Sequence, residues 1–140
     1  MVKSKMTVEA KTGELDGVVA FVTGCLEDTD CPIQTLLKLE CVIEEIFVNI
    51  CYYAYPPDTG PVVITVELRD DGQELTVEFS DRGKPYDPLA KEDPDVTMTA
   101  KDETLGGMGI YLTKKFMNEV IYRYEYGANI LTVKKEIKGA

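Results

Sequence analysis

Glu45 and Asn49 stand four residues apart in a stretch, 34–53, where Leu36, Leu39, Ile43, Ile46, Ile50 and Tyr53 recur at spacings of three and four. That spacing predicts a long amphipathic helix ending before Pro56-Pro57. At about 100° per residue, Glu45 and Asn49 both fall on one flank of the apolar stripe, next to Val42, Ile46 and Tyr53, while Glu44 points to the opposite flank. A carboxylate and an amide at such a border either reach solvent or face a polar ligand that satisfies them. The pair suits phosphoryl chemistry. An amide oxygen is a hard ligand for Mg, and a neighbouring carboxylate can orient or deprotonate a hydroxyl or water attacking phosphorus. Glu45 rather than Glu44 is the candidate base.

Two glycine-bearing loops accompany this helix. Asp81-Arg82-Gly83-Lys84-Pro85-Tyr86-Asp87-Pro88 follows a predicted strand. Asp-x-Gly there is ordinary turn chemistry, or a site in which Asp81 accepts a hydrogen bond from the amino group of adenine and Gly83 lets the ring approach the backbone. Gly106-Gly107-Met108-Gly109 leads into a helix. It is either loop flexibility or a phosphate cradle of free N–H groups at a helix N-terminus. Lys101, Lys114 and Lys115 are candidate supplementary phosphate contacts.

Around these residues, 14–27 reads as a helix with Leu15, Val18, Val19, Val22 and Leu26 on one face, and 6–10 as an edge strand. Alternating apolar and polar residues over 62–69 and 74–80 predict an antiparallel hairpin about Asp70-Asp71-Gly72-Gln73. A third helix over 109–118 and a last hairpin, 120–126 and 130–137 about Gly127-Ala128-Asn129, complete the pattern. The polar, proline-bearing stretch 89–104 has no periodicity and reads as a lid or as disorder. Hairpins interspersed with helices and no repeated βαβ unit point to an α+β fold, with helices on one face of a mainly antiparallel sheet.

The composition sets bounds on function. At 140 residues the chain is expected to be one domain, 1–140, with a core of its own. A net charge of −10 repels a nucleic-acid backbone, and phosphates would need Mg and backbone N–H groups to neutralise them locally. No apolar run is long enough to cross a bilayer and the N-terminus lacks a secretory hydrophobic stretch, so no membrane and a cytoplasmic location are expected. Cys25, Cys31, Cys41 and Cys51 form no CxxC pair and read as reduced thiols. With no histidine anywhere, His-dependent triads and a phospho-accepting histidine within the chain are excluded.

Taken in order, Glu45-x-x-x-Asn49, Asp81-x-Gly83-x-Pro85-Tyr86-Asp87-Pro88 and Gly106-Gly107-Met108-Gly109 resemble the N, G1 and G2 boxes of the GHKL (histidine kinase-like) ATPase superfamily. The spelling of the second box, the short length and the segment Phe116-Met117-Asn118-Glu119-Val120 resemble in particular the anti-sigma regulatory factor serine/threonine kinases. The resemblance implies a two-layer α/β sandwich of Bergerat type and binding of ATP with Mg. It implies Glu45 as general base, Asn49 as Mg ligand, Asp81 on adenine, Gly83, Pro85, Gly106, Gly107, Met108 and Gly109 about the nucleotide, and 89–105 as the lid. Members of that family dimerise, hold a sigma factor inactive and phosphorylate a serine or threonine on a small STAS-type anti-sigma-factor antagonist. One departure stands out, since Tyr52-Tyr53-Ala54-Tyr55 occupies the place where the family often has a histidine. The competing expectations are an ATP-binding switch module without turnover and a detached histidine kinase ATP-binding domain.

Overall fold

The computed structural model describes residues 2–90 and 107–137. β1 (Val2–Glu9) leads through a 3-10 turn, Thr12–Glu14, into α1 (Leu15–Gly24) and α2 (Ile33–Tyr53). The hairpin β2 (Pro61–Leu68) and β3 (Glu74–Asp81) follows, then a 3-10 turn at Pro88–Ala90, α3 (Gly107–Phe116), and the hairpin β4 (Glu119–Glu125) and β5 (Ala128–Glu136). The five strands form one antiparallel sheet in the order β1-β2-β3-β5-β4.

The alternation of the strands decides which face is covered. Val62, Ile64 and Val66 on β2, Leu75, Val77 and Phe79 on β3, and Leu131 and Val133 on β5 share one buried face. Register puts Ile64 opposite Phe79 and Phe79 opposite Leu131, so cross-strand apolar pairs run through the middle of the sheet. The helices lie on this face. α1 contributes Val18 and Val22, and α2 contributes Leu39, Val42, Ile43, Ile46 and Phe47. Phe47 and Phe79 are both essentially inaccessible, each burial stabilising by roughly 2 kcal/mol before entropy is counted. This two-layer α+β sandwich is the architecture expected from the sequence. Phe47 and Val42 widen the apolar stripe of α2 beyond the residues whose spacing revealed it.

Element bounds differ in instructive places. β1 begins at Val2 instead of 6, because its whole length pairs with β2, from Val2 against Leu68 to Glu9 against Pro61. α1 is shorter than 14–27, its ends passing into the Thr12–Glu14 turn and a turn stretch after Gly24. α3 starts at Gly107 rather than 109, so Met108 and Gly109 lie in its first turn. The last hairpin turns on Tyr126 and Gly127, at φ 53 and 76°, a primed two-residue turn matched to strand twist. Ala128 and Asn129 therefore belong to β5 and not to the turn. Gly106, Lys101 and residues 91–105 of the expected lid lie outside the described residues, while Leu89 and Ala90 sit in the second 3-10 turn.

Candidate functional site

The C-terminal half of α2, the end of β3 and the start of β5 meet at one end of the sheet. Asp81 is the last residue of β3 and is paired in register with Asn129 on β5. The chain then turns across the end of α2, where Lys84 N–H donates to the Ala54 carbonyl at 2.8 Å. Tyr55 braces the same corner: its hydroxyl donates to the Pro61 carbonyl at 2.6 Å and accepts from Arg82 N–H at 2.7 Å. Between these elements lies a narrow cleft with an internal volume of about 40 Å³. Ile46, Ile50, Phe79, Pro88, Ile110 and Leu131 give it apolar walls, and Asn49, Asp81, Asn129, Lys84, Tyr53, Tyr86 and Tyr122 add polar groups.

Asn49 is 9% exposed and opens on this cleft. Its side-chain amide has no hydrogen-bond partner among the described residues. Its polar atoms still reach solvent, so a ligand entering the cleft would take the place of water on them. Asp81, 5% exposed, accepts Gly83 N–H and Asn129 Nδ2, each at 2.9 Å and both on Oδ1. Burial raises its carboxyl above the ordinary value, and those two bonds offset part of the rise. Tyr53 and Tyr86 stack with ring centroids 5.4 Å apart and planes at 27°, forming an aromatic wall.

Glu45 sits one turn back from Asn49 on α2 and is half-buried, whereas Glu44 is exposed. Burial, then the neighbouring Glu44 charge, raises its pKa, so it holds a proton more readily than an ordinary glutamate. It does not line the cleft itself. Ile110, in the first turn of α3, does, so the helix N-terminus that carries Gly107, Met108 and Gly109 borders the cavity with the positive end of its dipole.

Residues 8–135 match the family of histidine kinase-like ATPase domains. The chain belongs to this family. Among its relatives are a serine/threonine-protein kinase, BtrW, of Bordetella bronchiseptica, 31% identical over 64% of this chain, and an anti-sigma F factor of a Thermoanaerobacter species, 26% identical over 74% of it. The matches span 63% of the Bordetella protein and 68% of the Thermoanaerobacter one. The fold is shared with the crystal structure of the RsbU and RsbW domains of a Mycobacterium tuberculosis protein. There the TM-score is 0.67 at 15% identity, over 98% of this chain and 33% of that one. It is shared more loosely with the histidine kinase AdeS of Acinetobacter baumannii, with a TM-score of 0.53 at 14% identity over 99% and 70% of the two chains.

Within this histidine kinase-like ATPase domain, the structure brings Asn49, Asp81 and the start of α3 together and leaves other expected residues aside. Pro85 is exposed and outside the cleft lining. Gly83 faces the backbone of Ala54, where an added Cβ would come within 2.2 Å of the carbonyl oxygen, so glycine is needed there for chain crossing. Lys114 and Lys115 occupy the last turn of α3, the end away from the cleft, and Lys115 Nζ lies 5.4 Å above the Tyr111 ring. Among the described residues, Lys84 is the cation that lines the cleft. Sequence reasoning missed Lys84, the tyrosines and Asn129. The signal for Asn129 was parity, since 129, 131 and 133 face the same side of β5 as the core residues Leu131 and Val133.

No helix of the described residues is long and apolar enough to cross a membrane.

Proposed function

We propose that this chain binds Mg-ATP in the cleft and acts as an anti-sigma regulatory factor with serine/threonine kinase activity, phosphorylating a small STAS-type antagonist and sequestering a sigma factor. The observation that carries the reading is the pairing of two unmatched polar groups on one apolar cleft: the Asn49 amide and the second carboxylate oxygen of Asp81. Kinship to a named serine/threonine kinase and to anti-sigma F factors supports the regulatory part. A cytoplasmic location and a homodimer accord with that class.

In this mechanism Asp81 Oδ2 accepts the exocyclic amino group of adenine, the apolar walls take the ring, and the first turn of α3, with Gly106 before it, takes phosphate. The residues present fit a divalent ion. Among the described residues no cluster of three or more His, Cys, Asp or Glu side chains offers a metal site, so Mg would be held by Asn49 Oδ1 together with phosphate oxygens. Bound there, Mg supplies charge neutralisation of the transferring phosphoryl group. Glu45 takes the proton of the attacking serine or threonine hydroxyl as the new O–P bond forms and ADP departs with the electrons of the broken one. A base with a raised pKa is the more effective acceptor near neutral pH.

The test is phosphate transfer from labelled ATP to candidate antagonists, with calorimetric ATP binding beside it. Glu45→Ala is expected to lower transfer by about 100-fold or more and to leave ATP affinity near wild type. Asn49→Ala should remove the Mg-dependent part of binding. Transfer that survives loss of Glu45 contradicts the assignment of the base, and absence of ATP binding contradicts the reading as a whole.

A further inference from the structure

Asn129 is 7% exposed at the start of β5 and makes bonds on both sides of its amide. Nδ2 donates to Asp81 Oδ1 at 2.9 Å and to the Lys84 carbonyl at 2.8 Å. Oδ1 accepts Tyr86 N–H at 3.1 Å and the Tyr122 hydroxyl. These partners fix the orientation of the amide, because a carbonyl cannot donate and a backbone N–H cannot accept. Only a short primary amide supplies two donors and two acceptor sites here. Threonine would bring one donor, and aspartate would set a carboxylate against Asp81.

One side chain thus joins four pieces of the site: the end of β3, the loop after it at two points, and β4 through Tyr122. Because Asp81 Oδ1 is taken by Asn129 and by Gly83 N–H, the acceptor left for a ligand is Oδ2. Resting on the nucleotide reading above, we propose that Asn129 is a positioning residue that sets purine selectivity, by pinning Asp81 so that a single carboxylate oxygen meets the purine edge at one fixed place. An amino-bearing edge, as in adenine, matches that oxygen. A keto edge at the same place, as in guanine, sets acceptor against acceptor and is rejected.

Without the Asn129 amide the carboxylate is free to turn and to exchange partners with water. The penalty on the keto edge then falls, and affinity for the amino edge falls with it. Asn129 is also one of the donors that favour the ionised form of Asp81.

The experiment is calorimetric titration of the whole chain with Mg-ATP and Mg-GTP across pH, for wild type, Asn129→Ala and the milder Tyr122→Phe, with circular dichroism to establish folding. Wild type is expected to prefer ATP by about 100-fold or more. Asn129→Ala should lower the ATP-to-GTP preference by about tenfold, and the acid-side midpoint for ATP binding should move to higher pH. Tyr122→Phe should move both readouts the same way by less, and it decides the matter if Asn129→Ala does not fold. A merely structural brace would weaken both nucleotides alike. Folded variants with an unchanged preference and an unchanged pH midpoint overturn the inference while leaving ATP binding intact. A wild type that binds neither nucleotide overturns the reading beneath it and the inference too.

Discussion

Gly83 lies so close to Ala54 that a Cβ built on it would stand 2.2 Å from the Ala54 carbonyl oxygen and 2.6 Å from its Cα. That contact is backbone on backbone, so neither partner can rotate away. Gly83→Ala is therefore expected to destabilise the fold by about 1–3 kcal/mol through forced separation of α2 from the β3 exit loop. Urea denaturation measures it, and an unchanged midpoint would contradict the crossing as described.

Asp81→Asn separates stability from binding. In the folded chain Asp81 holds its proton more tightly than in the unfolded one, because burial raises its pKa. Folding then takes up a proton between the ordinary and raised values, stability falls as pH rises through that window, and the cost is complete above it. An asparagine carries no such cost and keeps an oxygen for Asn129 and Gly83. The variant without nucleotide should be at least as stable as wild type at neutral pH, while the rise in melting temperature on adding Mg-ATP should shrink. Thermal melts with and without nucleotide read both effects.

Lys135 is 7% exposed, lies on the core-facing side of β5 between Val133 and Ile137, and has its pKa lowered by burial and by Lys38. Its ammonium is not sealed off, since among the described residues no buried side-chain nitrogen or oxygen is without a partner. The stem is covered and the head reaches out. Lys135→Met should raise stability at neutral pH by about 1 kcal/mol. In wild type the unfolded chain holds the Lys135 proton more tightly, so stability climbs as pH rises through the lowered pKa towards the ordinary one. The methionine variant should lose that slope in alkaline denaturation curves.

Burial pushes the Cys51 thiol up to about 11, while Cys41 on the same helix is exposed. Since the thiolate is the reacting form, iodoacetamide near pH 8 should modify Cys51 roughly a hundredfold more slowly than an ordinary thiol. Peptide mass spectrometry of a time course gives the order of labelling. Addition of urea should erase the difference.

Much of this architecture was legible because local pattern and tertiary context agree. The 34–53 stripe became α2, shifted by a single residue at its start, and Asn49 and Asp81 line one cleft while Glu45, a turn back on α2, does not. The last hairpin was misplaced because a primed turn calls for left-handed backbone at both centres, where glycine and asparagine are the usual occupants. Tyr126 takes the first position at φ 53°, which moved the turn back and returned Asn129 to a strand. The role of Asn129 was illegible for a further reason. Its partners are scattered over β3, the following loop and β4, and only sheet register brings them together. Gly83 illustrates the converse, since its place in a motif was visible while its immediate physical reason, the crossing of Ala54, was not.

The chain has eight tyrosines and no tryptophan, and Tyr53, Tyr86 and Tyr122 all stand on the cleft. Three of the eight emitters thus report on this one region, without an indole anywhere to mask them. Any occupant that slips beside the paired phenol rings should quench or brighten that signal, so the molecule carries its own optical gauge of filling.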